Sequence, residues 1–80
     1  MLDEIDTARE RLAAAVGAVE TARSAVRDAQ DTVRARRAEL HAAIVKALRA
    51  GQRVNAVAGA AGLTREQVRR IARAGGVEPE

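Results

Sequence analysis

The sequence predicts an all-α chain, one long coiled-coil helix followed by two short helices, and three observations predict it. Leu2 to Ala50 contains no Pro and a single Gly, and consists mainly of Ala, Arg, Glu, Leu and Val, most of which enter a helix at little cost. Within that stretch aliphatic residues recur every seven positions, the period of a coiled coil. Beyond Gly51 the pattern shortens to two helix-length segments separated by Gly62-Leu63.

Composition narrows what such a chain can be. It has 80 residues, is 48% hydrophobic, and has no Cys, Phe, Tyr or Trp; a quarter of it is Ala. A core of this size is marginal unless a disulfide, a metal or a partner supports it. Cysteine is absent and His41 has no second imidazole or thiolate to share a metal with, so oligomerisation is the remaining support. No metal site and no cofactor is expected. The Asp3 to Asp6 and Asp28 to Asp31 carboxylates lack the glycine-bearing loop and the offset Glu of a calcium site. No catalytic residue is expected either: His41 is the only candidate base, and the sole Ser24 lies 17 positions away on the same helix. Apolar runs stay far below the length of a membrane span, and the first residues are acidic where a signal peptide would be basic. The expectation is a cytoplasmic protein with no membrane partner.

The first element is the long helix, with residues 1–38 expected as a dimerisation region. Counting in sevens from Ile5 gives Leu12, Val19, Val26, Val33, Leu40 and Ala47 at position a, with Ala8, Ala15, Ala22, Ala29, Arg36 and Ala43 at d. The seam is large on one side and small on the other. A parallel pair would stack Ala on Ala. An antiparallel pair whose facing positions sum to 48 sets Ile5 on Ala43, Val19 on Ala29, Val26 on Ala22, Val33 on Ala15 and Leu40 on Ala8. Leu12 on Arg36 is the one poor layer, acceptable where the Arg stem lies along the seam and its head reaches water. The flanks bring Glu4 to Lys46 and Arg11 to Glu39, exposed pairs worth under about 1 kcal/mol each. An antiparallel homodimer is therefore favoured. A helical hairpin within one chain, broken near Gly17 or in Asp28 to Asp31, is the competing arrangement.

Towards its end the same helix acquires a second apolar face, His41, Ile44, Val45 and Leu48, turned away from the coil seam. Ala50 and Gly51 are expected to cap it. Two short helices follow, Val54 to Ala61 and Thr64 to Ala74, the second opened by Thr64 with Gln67 completing a capping box. Residues 75–80 are expected as a flexible tail.

The stretch from about Glu39 to Arg73 resembles a tri-helical helix-turn-helix DNA-binding domain, of the type at the C-terminus of serine recombinases and in small bacterial and phage regulators. Ala58 falls where that family has a tiny residue at the helix crossing, Gly62 where its turn needs a positive φ, and Val57, Ala61, Leu63, Val68 and Ile71 at its buried positions. Two residues depart from the pattern: Gln52 or Arg53 is a poor N-cap for the first short helix, and Gly59 sits inside it. The resemblance makes residues 39–74 the DNA-binding module and helix 64–74 the recognition helix. It assigns base reading to Arg65, Glu66, Arg69 and Arg70, and phosphate contact to Arg53, Thr64, Gln67 and Arg73.

Charge is distributed as that reading requires. Residues 1–38 hold seven basic and seven acidic side chains, whereas residues 46–73 hold seven basic and one acidic. With no aromatic for base stacking, double-stranded DNA is the expected nucleic acid. The resemblance implies a sequence-specific, dimeric transcriptional regulator of the repressor kind. An architectural, partition or recombination accessory protein bridging two duplexes is the alternative, and a coiled-coil adaptor for an acidic protein a third. An Ala-rich seam leaves no pocket, so no small-molecule ligand is expected. With a dyad near Ser24 and modules centred near Val45, about 21 residues on either side at about 1.5 Å each would separate the two modules by roughly 63 Å. That distance is near two turns of B-DNA.

Overall fold

The structure is a computed structural model that describes residues 1–78. Among the described residues there are three α-helices and no strand: α1 (Leu2–Arg49), α2 (Val54–Ala61) and α3 (Arg65–Ala74). No helix among them is long and apolar enough to cross a membrane. The chain divides into two units, Met1–Val33 and Arg34–Glu80.

In the first unit every residue is exposed. α1 passes through Gly17 and through Asp28 to Asp31 without a break, so the intramolecular hairpin is not the fold. Two threonines inside the helix spend their hydroxyls on the preceding turn: Thr21 Oγ1 donates to the Gly17 carbonyl and Thr32 Oγ1 to that of Asp28, each at 3.1 Å. Arg23 and Glu20 form an exposed i, i+3 pair at 3.6 Å. None of these contacts touches the heptad series, and Leu12 and Val26 remain 65% and 55% exposed. Local propensity and the acidic first turn (Asp3, Glu4) account for the helix; the aliphatic stripe contributes no burial within one chain.

The second unit contains the core. Ile44 from α1, Val54, Val57 and Ala58 from α2, and Val68 from α3 form one buried cluster, with Ala47, Leu48, Ala61, Leu63 and Ile71 packed around it. Val68 and Ala72 are fully buried, at 0% exposure each. Burying a valine side chain is worth about 1.5–3 kcal/mol, so these few aliphatics hold the unit together. Of the second stripe on α1, Ile44 is buried completely and His41, Val45 and Leu48 are half-buried. Val54, which sequence reasoning did not place inside, joins the core as the first residue of α2.

Each helix ends in the same way. Gly51, Gly62 and Gly76 have φ of 94°, 68° and 78°. The residue after each sends its N–H back five positions: Gln52 to Ala47 at 3.1 Å, Leu63 to Ala58 at 3.0 Å and Val77 to Ala72 at 2.8 Å. This is the 6→1 hydrogen bond of the Schellman motif, which satisfies an orphan carbonyl and needs a left-handed residue at the turn. At Gly62 the reversal delivers α3 back onto α2 within three residues, so a side chain there would strain the junction that positions α3.

The starts differ. Arg53, the N-cap of α2, is extended and offers no side-chain hydrogen bond to the helix. Thr64 is the N-cap of α3, one residue ahead of the first helical position Arg65, and the capping box is complete. Thr64 Oγ1 accepts from Gln67 N–H at 3.1 Å, and Gln67 Oε1 accepts from Thr64 N–H at 2.9 Å.

Of the segment expected as a tail, Gly75, Gly76 and Val77 close α3. The Gly75 and Gly76 N–H groups bond to carbonyls of α3's last turns, and Arg49 Nη2 donates to the Gly75 carbonyl at 2.9 Å. Pro79 and Glu80 lie outside the described residues.

Candidate nucleic-acid interface

The alternation of residues in α3 decides what it shows to water. Val68 and Ala72 point into the core with Ile71 beside them, and the helical period then turns Glu66, Arg70 and Arg73 to the opposite side. Arg65 and Arg69 occupy one flank, Gln67 the other. Four arginines against one glutamate make α3 strongly basic over ten residues. Because the helix is capped at both ends and anchored by two side chains with no exposure, its outward face is presented in one orientation.

The four residues expected to read bases fall into two kinds. Arg65 is exposed and Arg69 half-buried along the helix flank, and neither has an ion pair or hydrogen bond among the described residues. Glu66 is shared instead between two arginines, Arg73 Nη2 at 3.5 Å and Arg70 Nε at 4.0 Å. All three are more than half exposed, so the pairs are worth under about 1 kcal/mol and open at little cost. Glu66 therefore offsets part of the charge of Arg70 and Arg73.

The residues expected at phosphates also divide. Arg53 stands exposed at the start of α2 and lines, together with Arg65, Gln52, Asn55 and Glu78, a cleft of about 320 Å³. Arg73 is exposed at the far end of α3. Thr64 and Gln67 each commit one oxygen to the capping box, which leaves the Thr64 hydroxyl hydrogen and the Gln67 amide NH₂ as the groups free to donate outward.

A groove that sequence reasoning did not identify runs between the end of α1 and α3. Val45, Leu63 and Ile71 contribute its apolar floor, and His41, Lys46, Arg49 and Arg70 bring cationic or imidazole groups to its rim with no carboxylate among them. Arg49 is held there by its bond to Gly75. The signal in sequence was the acid-free run from His41 to Arg65; only the packing of α3 on α1 places Arg70 across from it.

Among the described residues no group of three or more His, Cys, Asp or Glu side chains could hold a metal ion. The residues expected along the coil seam, from Ile5 to Ala43, all lie on α1 and all are exposed. Comparison with known protein families, with curated proteins and with solved structures gives no match.

Proposed function

We propose that the chain is a homodimeric, sequence-specific double-stranded DNA-binding protein of the regulator type, with α3 lying in the major groove. The observation that carries the reading is α3 itself, a ten-residue helix with four arginines, anchored by Val68 and Ala72 and fixed at both ends. Arg65 and Arg69, unpaired among the described residues, are the base-reading arginines, each suited to guanine O6 and N7. Arg53 and Arg73 take phosphates and set the register of the module on the duplex. Glu66 leaves its arginines to accept from cytosine or remains as their positioning partner. The open heptad stripe of α1 is the homodimer seam.

Mobility shift against genomic DNA fragments, repeated as salt rises from about 50 to 200 mM, tests this reading. A subset of fragments retained at the higher salt, with a linear fall of log affinity against log salt, is the expected result. Absence of any shift at the lower salt overturns it and leaves the protein-binding adaptor.

A further inference from the structure

The coil seam does not stop at the end of α1. Leu40, Ala43 and Ala47, its last members, form one wall of a cleft of about 320 Å³ whose other wall is Ala56, Ala60 and Ala61 of α2. The cleft is lined almost wholly by aliphatic side chains, and Ala43, Ala56 and Ala60 are exposed in the single chain. Alanines on both sides leave space for a larger side chain and offer nothing that could fill it from within.

Three large apolar side chains stand exposed in the first turn: Met1 at 98%, Leu2 at 75% and Ile5 at 59%. In the antiparallel register whose facing positions sum to 48, Ile5 of one copy meets Ala43 of the other and Met1 meets Ala47. Those two alanines belong to the α1 wall of the cleft. Charge agrees independently. In the same register Glu4 of one copy comes beside Lys46 of the other on the flank of the seam, and the stretch from His41 to Arg65 carries no acid that would repel it.

We propose that the cleft between α1 and α2 is the docking site for the N-terminal turn of a second copy, with Met1, Leu2 and Ile5 seated among the alanines and Glu4 beside Lys46 on the flank of the seam. The proposal rests on the antiparallel homodimer put forward above and extends it, because the dimer contact then includes α2. α2 shares the core of Val57 and Val68 with α3. Dimerisation accordingly braces the basic helix and is more than a tether.

Two measurements test it on the full chain. In the first, a nitroxide on Leu2→Cys is mixed with unmodified ¹⁵N-labelled chain; selective broadening of the Ala56 and Ala60 amides of the labelled copy is expected. Broadening confined to residues 1–8 shows a parallel coil and overturns the proposal. In the second, sedimentation equilibrium compares the wild type with Ala60→Glu, which places a charged side chain on the cleft wall where the apolar turn docks. Ala60 is exposed in the single chain, so helix content should be unchanged while the dimer dissociation constant rises about tenfold. A dimer of unaltered affinity overturns the docking and leaves the coil intact. A wild type that sediments as a monomer at every concentration overturns the coil and the docking together.

Discussion

Gly75 lies against Val45 so closely that a β-carbon on the glycine would fall 2.6 Å from Val45 Cγ2 and 3.3 Å from Cγ1. The approach is what lets the Gly75 carbonyl reach Arg49, and it fixes the end of α3 against α1. Val45 is β-branched with little freedom at χ1, so it cannot step aside without moving its helix. Gly75→Ala should therefore destabilise the second unit by about 1–3 kcal/mol, the usual cost of overpacking, seen as a lower denaturant midpoint with unchanged slope.

Gly59 provides the opposite case. It sits in the interior of α2 with nothing within 4 Å of the place a β-carbon would take. Gly59→Ala should stabilise the unit by up to about 1 kcal/mol, since helix propensity improves and no contact is disturbed. A thermal melt comparing the two glycine variants, with shifts of opposite sign, checks both.

On the proposed DNA-binding reading, Arg69 and Arg73 separate base reading from phosphate contact. Arg69 is half-buried on the flank, with its reach set by packing, whereas Arg73 is exposed beside Glu66 at the end of the helix. In binding-site selection, Arg69→Ala should relax preference at one or two base positions. Arg73→Ala should weaken all sequences alike and lower the salt slope by about one. Uniform loss for Arg69→Ala would assign it to a phosphate.

Strand direction in the proposed coil can be read by disulfide trapping. In the antiparallel register Ala8 faces Leu40 of the other copy, so mixing Ala8→Cys with Leu40→Cys chains should give a heterodimer bridge under mild oxidation. Ala8→Cys alone should remain largely unlinked. The reverse outcome identifies a parallel coil.

Much of this architecture is legible in the residues. The heptad series and the absence of breakers mark α1, and the helix stops are written in Gly51 and Gly62. The capping box needs only Thr64 and Gln67 at their spacing. What could not be read depends on contacts between residues far apart in sequence. Gly75 and Gly76 follow a helix and precede Val77-Glu78-Pro79-Glu80, the pattern of a frayed end; that Gly75 touches Val45 and Arg49 follows only from how α3 crosses α1. Val54 looked like a helix start, and it is buried because the turn after Gly51 carries it back over Ile44. On α3 the pattern separates inside from outside, but the half-burial of Arg69 and the sharing of Glu66 are matters of side-chain reach.

If the open stripe of α1 is the homodimer seam proposed above, the protein's state becomes a function of how much of it there is. A surface covered only by a second molecule gains stability by mass action, so dilution loosens such a coil while the Val68 core, closed within one chain, is indifferent to it. For a homodimer on paired half-sites, occupancy then climbs more steeply than in proportion to concentration. Abundance itself would set the threshold at which the chain acts, with no small-molecule signal required.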